Sequence, residues 1–453
     1  DQQVITPIDL PREPIKTITQ VANAMQTILG PISDKIGIQT GFTQRRSKVT
    51  GSVFMQTLVF SSLENSECRY SGLVSAAQNA GVKVTKQGLE QRFSPASADT
   101  ARRVLESAVQ RVIQTQPRAL PLLERFQGVY IRDSSTVSLP AGLETLWPGC
   151  GTGQGSSAAV KLHTRLEVCS GQLGGPILAA GREHDNRSPF QSEELPKGAL
   201  RMGDLGFFSL QQFQADSENG VWWLSRYKAG TCLYDELGQP IDLLAWLRQQ
   251  TADQVDQSIQ LGQTARLPCR LVAIRVPPHL VEQRRRKMKE YARKKQTPLR
   301  AELLALAEWI LLLTNIPAHL LSIPEALVLL HVRWQIELLF KRWKSLFKID
   351  EWRSANPWHI LTELYAKLLS VVIQQWILLT GMTQLAHPSF WKAALVVRKF
   401  ATSLAITLQD FFALIHVLTL ISQHFQAHCH LGTRRSRPSL YQLLENPHCI
   451  SLA

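Results

Sequence analysis

Read for the spacing of apolar and polar positions, the chain changes texture along its length. Residues 1–40 mix Pro, polar positions and a short helical stretch, which predicts a loosely packed lead-in. From Lys48 to about Gln116 apolar residues recur at helical spacing, in VFMQTLVFSSL, SGLVSAAQNAGV and TKQGLEQRF. Within this run Ala76 and Ala77 permit close helix contact, Gly81 suits a turn, and Thr85 suits the cap of a second helix presenting Lys86, Gln87, Gln91 and Arg92. That outline fits a helix-turn-helix, a unit that can read DNA, with Arg45, Arg46 and Lys48 just ahead of it. After Pro121 the pattern turns to strands: GVYIRDSSTVSLP, AAVKLHTRLEVCSGQLGGPILAA, ALRMGDLGF, VWWLSRYKAGTCLYDELGQPID and RLPCRLVAIRVP, punctuated by Gly and Pro. Helical segments between some of them predict an α/β region, a mixed sheet with flanking helices. A basic helix, a last strand EWILLLTNIP and a long helix from about Pro324 to Leu346 follow, and residues 357–453 are again mostly helical. The expected organisation is a helical region over 1–120, an α/β region over 121–350 and a helical region over 351–453.

Composition narrows the class. Of the 453 residues 44% are hydrophobic, with 16 Phe and 11 Trp, which excludes a disordered or fibrous chain. No apolar run reaches the roughly 18 to 20 residues that a membrane helix needs. Leu368 to Leu379 and Ser403 to Ser422 are interrupted by Gln374 and Gln375 and by Gln409 and Asp410, so both read as buried helices and no membrane partner is expected. The N-terminus lacks a basic segment followed by an apolar one, and the seven Cys are scattered without a CxxC pair. A cytoplasmic location follows as the expectation. The group His428, Cys429, His430, His448 and Cys449 matches no zinc spacing.

Charge then points to a partner. The net charge of +14 attracts polyanions, and nucleic acid is the first to consider. Part of the excess is local: RRRKMKEYARKK, beginning at Arg284, Arg285 and Arg286, holds eight Lys or Arg against one Glu, and GTRRSRP at 432–438 is a second knot.

Three acids carry the candidate chemistry. Asp133 closes GVYIRD, Asp204 sits where a strand leaves the sheet in GALRMGDLGF, and Glu337 lies on the long helix. On a helical wheel Leu330, Arg333, Lys341 and Lys344 fall within about 40° of Glu337, while Val332, Ile336, Leu339, Trp343 and Leu346 form a separate apolar stripe. Taken singly, these acids suit turns, caps or an Arg333–Glu337 ion pair. Together, two Asp at strand ends and a Glu on a helix packed against the sheet suit hard divalent cations, which prefer oxygen ligands. Two Mg²⁺ or Mn²⁺ ions would serve an in-line phosphoryl displacement without a protein nucleophile.

With the second Asp 71 positions after the first and the Glu 133 positions further on, in RWQIELLFKRWK, the chain resembles the DDE transposases of bacterial insertion sequences. The similarity is greatest to the insertion-sequence-four family, whose Tyr-Arg-Glu-Lys signature reads here as Leu330, Arg333, Glu337 and Lys344. Leu330 departs from it, since Leu has no hydroxyl to offer a phosphate. KLH at 161–163, GRxHD from Gly181 to Asp185, DxGF from Asp204 to Phe207 and TNIP follow in family order, over roughly residues 40–350. The resemblance implies an RNase H-like catalytic core with a β-rich insertion at about 215–310. It further implies Asp133, Asp204 and Glu337 as ligands of two metal ions, and Arg333 and Lys344 on DNA phosphates, with Lys341, on the same helix face, expected to join them. Trp309 matches the position where similar proteins stack a flipped base, although a core aromatic explains it equally. The implied activity is cut-and-paste transposition, commonly through a DNA hairpin, on double-stranded element ends synapsed by a homodimer. Two other readings stay open: a transposase-derived DNA-binding protein that has lost catalysis, favoured by Leu330, and an RNase H-like nuclease without strand transfer. No chemical role is assigned to His184 or Asp185.

Overall fold

Apolar side chains three and four residues apart organise the first part of the chain into α1 (Arg12–Thr27), α2 (Ser33–Gln39), α3 (Gly51–Glu64), α4 (Tyr70–Asn79), α5 (Lys86–Glu90) and α6 (Pro95–Val109). The structure is a computed structural model and describes residues 12–45, 47–67, 69–151, 157–296, 298–432 and 438–450. Arg46 and most of the GTRRSRP knot lie outside them. The loose lead-in expected over 1–40 is not what its described part forms: Ile18, Val21, Ala22, Met25, Ile28 and Leu29 are at most 1% exposed. One face of α1 is core. The helix-turn-helix outline is present as α4 and α5, with Gly81 in the turn at φ +82 and the Thr85 hydroxyl accepting the Gly88 amide at 3.1 Å. Its second helix has only five residues, so Arg92 falls beyond it.

The strands and later helices follow as β1 (Val129–Leu139), β2 (Ala158–Glu167), β3 (Leu173–Ala180), β4 (Leu200–Gly203), α7 (Leu210–Glu218), β5 (Trp222–Arg226), β6 (Leu233–Tyr234), β7 (Pro240–Ile241), α8 (Leu243–Arg248), β8 (Gln254–Leu261), β9 (Leu267–Arg275), α9 (Pro278–Lys295), α10 (Ala301–Leu306) and β10 (Trp309–Thr314). Then come α11 (Ile323–Val332), α12 (Gln335–Arg342), α13 (Pro357–Leu379), α14 (Phe390–Lys399), α15 (Ala401–Thr407), α16 (Phe411–His428) and α17 (Leu440–Glu445). The sheet order is β3-β2-β1-β4-β5-β10-β9-β8-β6-β7. Strands β1, β4 and β5 run parallel, and β2 and β3 are antiparallel, as in an RNase H-like core. Strands β10, β9, β8, β6 and β7 extend the sheet as antiparallel neighbours; β6 to β9 fall within the 215–310 range expected for a β-rich insertion, whereas β5, also within it, pairs parallel with β4, and β10 runs past it to Thr314.

The described chain forms two compact units. One takes in residues within 1–118, 134–183 and 337–432, and the other residues within 119–133, 184–336 and 433–453. At the centre of the first, α13 is buried from Ile360 to Leu379 and packs on α1, α3, α6 and α14. It carries a buried ion pair, Lys367 Nζ to Glu363 at 2.6 Å. The expected Ser403–Ser422 helix is two helices, because the Asp410 carboxylate caps α16 by accepting the Ala413 amide at 3.0 Å. Among the described residues no helix is long and apolar enough to cross a membrane. The core of the second unit gathers Trp223, Leu261, Leu271 and Leu313, each 0% exposed, with Phe213 stacked on Trp223 at 4.3 Å between centroids.

Candidate active site

Strand register brings the two aspartates together. The parallel β1–β4 ladder pairs Val129 with Leu200 and ends at Arg132 with Gly203, so Asp133 and Asp204 are the next residue on each chain. Neighbouring strands lie about 4.8 Å apart, which places the two residues on adjacent chain segments at one end of this ladder. Asp133 does not end its strand, as the sequence suggested: β1 runs on to Leu139, and only its pairing with β4 stops there. Asp204 does leave the sheet. Its Oδ1 accepts the Gly206 amide at 2.9 Å and so caps the short turn Leu205–Phe207. Both aspartates are half-buried.

A third carboxylate stands beside Asp204, one that sequence reasoning left without a role. A Cβ on Gly206 would lie 2.7 Å from Asp185 Oδ2 and 3.0 Å from Asp204 Oδ1. The glycine of the DxGF segment thus leaves room for two carboxylate oxygens. The pairing of an HD dipeptide with that glycine was the available signal, but their proximity depends on the fold.

Two buried arginines brace this end of the sheet. Arg132 Nη1 donates to the carbonyls of Phe190 and Gln191 at 3.1 and 2.7 Å, and Arg201 Nη1 reaches the same Phe190 carbonyl at 3.2 Å. Arg201 Nε also pairs with the buried Asp216 at 2.9 Å. The loop around residue 190 is thereby fixed against the strands that carry Asp133 and Asp204. Burial, reinforced by the neighbouring Arg201 charge, pushes the Arg132 guanidinium down to about 9, against the opposing pull of Asp216, Glu193 and Asp204.

Glu337 is held differently. The single helix expected from about 324 to 346 is interrupted at Arg333 and Trp334, where the Trp334 amide donates to His331 O at 3.1 Å, three residues back. Glu337 lies in the first turn of α12, half-buried, and α12 runs into a π-helical turn at Trp343–Phe347. The wide turn includes Lys344, which is half-buried, while Lys341 is exposed and Arg333 half-buried. Leu330 is half-buried near the end of α11. Neither Pro nor Gly marks the interruption, so the wheel had no means of showing it.

The donor set suits a hard divalent cation, since it is all carboxylate oxygen at the ends of rigid elements. Among the described residues no three His, Cys, Asp or Glu side chains stand together at metal-holding spacing, and this includes the histidines and cysteines near residues 428–449.

The expected DNA contacts divide. Arg45 and Lys86 are exposed, Lys86 with Nζ 5.3 Å from the Tyr70 ring centroid, and Arg92 Nη2 is engaged with Ser47 Oγ at 2.7 Å. Arg284 and Arg285 are engaged within their own unit: Arg284 donates to Trp309 O at 3.1 Å, and Arg285 reaches Glu308 at 2.7 Å and Leu304 O at 3.2 Å. Arg286 is exposed. Trp309 takes the core alternative, at 4% exposure with Arg275 4.3 Å over its ring, which leaves little of the ring surface open to a base.

Residues 124–373, more than half of the chain, match the family described as Transposase DDE domain. The chain is 26% identical over 361 residues to the transposase for insertion sequence element IS231F of Bacillus thuringiensis subsp. israelensis, covering 75% of this chain and 76% of that protein. It is 23% identical over 373 residues to the transposase for insertion sequence element IS1151 of Clostridium perfringens, covering 77% and 78%. It is 30% identical over 233 residues to the putative transposase InsL for insertion sequence element IS186A of Escherichia coli K12, covering 48% and 61%. An RNase H-like strand order, adjoining aspartates at one ladder end and a family match across both place the chain in a single group: it belongs to the DDE transposases of bacterial insertion sequences.

Proposed function

We propose that this transposase cuts DNA at the ends of its insertion sequence and joins the freed ends to target DNA, with Asp133, Asp204 and Glu337 as the acids of the reaction. The observation that carries this reading is the β1–β4 register, which sets Asp133 and Asp204 next to each other. A DDE domain uses divalent metal, and the proposal here is Mg²⁺ or Mn²⁺, two ions per site, on these three carboxylates. When bound, such a pair supplies activation of the attacking hydroxyl and neutralisation of the leaving 3′ oxygen. The chain's own part is to hold the acids and the DNA. Arg132 and Arg201 fix the backbone around residue 190 beneath the aspartates. Arg333, Lys341 and Lys344 supply positive charge on the segment that carries Glu337, where they would grip the phosphates of the transferred end and offset charge growing in the transition state. Arg45, Lys86 and Arg92 would hold element DNA further from the reacting bond. Synapsis of two ends by a homodimer completes the proposal.

Leu330 is the one feature favouring a second reading, a DNA-binding descendant without catalysis, because it removes a hydroxyl from the phosphate grip. The deciding experiment incubates the full chain with a duplex bearing the sequences that flank its gene, plus Mg²⁺ or Mn²⁺. Metal-dependent release of a 3′ end followed by joined product supports the transposase. Cutting without joining indicates a nuclease, and binding without cutting the non-catalytic protein.

A further inference from the structure

The basic helix α9 has two faces that do different things. Val281 and Ala292 are buried, and Arg284 and Arg285 are tied to Trp309 O, Leu304 O and Glu308 of the same unit. The helix is therefore fastened to β10 and the segment before it through its inward arginines. Arg286, Lys287, Lys289 and Arg293 are exposed, and among the described residues none of them has a hydrogen-bond or ion-pair partner. Glu290, four residues after Arg286, makes no ion pair with it there. On a 100° wheel Arg286, Lys289 and Arg293 fall within about 60° of one another, and Arg286 to Arg293 spans about 10 Å along the axis. Like charges one turn apart repel and weaken a helix. A fastened ridge of uncompensated cations suits a partner that brings a dense line of negative charge.

We propose that α9 is a sequence-independent grip on duplex DNA, in which Arg286, Lys287, Lys289 and Arg293 contact backbone phosphates. This rests on the transposase reading and adds to it a binding element outside the catalytic acids. A span of about 10 Å covers roughly three base-pair steps of a strand. Phosphate contacts position a protein without reading bases, so the grip would serve flanking or target DNA as well as the element's own end.

The test uses the full chain and a variant carrying R286Q, K287Q, K289Q and R293Q, with circular dichroism to verify that α9 persists, since Gln at exposed positions is a good helix former. Affinity is measured from about 50 to 200 mM salt on the gene-flanking duplex and on an unrelated duplex. The expected result is a slope of log affinity against log salt shallower by about 3.6 in the variant, equally on both duplexes, since each of the four lost phosphate contacts removes about 0.9. An unchanged slope on both duplexes, with the wild type binding them, would overturn the grip and leave the transposase reading standing. A loss confined to the flanking sequence would overturn it too, as base reading. Failure of the wild type to bind either duplex would bring down both the grip and the reading it rests on.

Discussion

The aspartates and the glutamate are held by unlike means. Asp133 and Asp204 follow directly on a parallel ladder, backed by Arg132 and Arg201 on shared carbonyls. Glu337 sits on an eight-residue helix between an interruption at Arg333–Trp334 and a π-helical turn at Trp343–Phe347. Side chains of its own unit hold its end and the chain that follows: Arg342 donates to Gln375 Oε1 at 3.3 Å, and beyond the π-helical turn Lys367 Nζ donates to Lys348 O and Glu351 O at 3.1 and 2.8 Å. A ladder fixes neighbouring residues through several backbone bonds at once, whereas the Glu337 helix is held through its side chains, with Leu339 and Phe340 buried. Two of the acids are set by the backbone, and the third depends on side chains elsewhere.

The largest effects should come from breaking each support at its buried ion pair. Arg201→Leu strands Asp216, which is 3% exposed, and Lys367→Met strands Glu363. Each should lower unfolding free energy by about 3–5 kcal/mol in urea titration, the usual result of leaving a buried charge alone. If either costs less than about 1 kcal/mol, that pair is not the support described.

A smaller effect concerns acid. Burial, helped by the nearby Lys367 charge, pushes His359 down to about 4, and the ring stacks on Phe93 at 3.7 Å. The unfolded chain binds this proton near pH 6.5 and the folded chain only near 4, so stability present above pH 6.5 is lost as pH falls through that window. The loss should be about 2–3 kcal/mol. Burial raises the Glu363 carboxyl even against Lys367, with the opposite sign, so comparison with His359→Phe isolates the histidine contribution. Equal acid sensitivity in wild type and variant would contradict the assignment.

The smallest effect lies at the start of α11, where the Ser322 amide and hydroxyl both donate to Glu325 Oε2, at 2.8 and 2.7 Å. Ser322→Ala should cost about 1 kcal/mol by the same urea titration, and no measurable change would mean that α11 does not depend on its cap.

Much of this was legible in the order of residues. Val, Ile and Leu marked β1 and β10, and the aspartates stood out at strand positions next to Gly or at a change of texture. Strand β8 escaped notice because Gln257 interrupts the apolar side of its alternation, so that only Val255, Ile259 and Leu261 mark the face that packs on the core. The helix interruption was illegible for a different reason: nothing at Arg333 or Trp334 forbids helix, so tertiary packing decided it. The inward turn of Arg284 and Arg285 depends on where Leu304, Glu308 and Trp309 come to rest, and no periodicity contains that. The proximity of Asp185 to Asp204 likewise arises only when two short turns meet at Gly206.

The central claim is that both kinds of support serve one reaction. Its most direct measurement compares DNA cleavage and DNA binding in Asp133→Asn, Asp204→Asn and Glu337→Gln against the wild type, with Mg²⁺ or Mn²⁺ and a duplex carrying the gene-flanking sequences. The account predicts that each variant loses cleavage by on the order of 10³-fold or more, about 4 kcal/mol of transition-state stabilisation, while binding persists. Substantial cleavage by all three variants would contradict it.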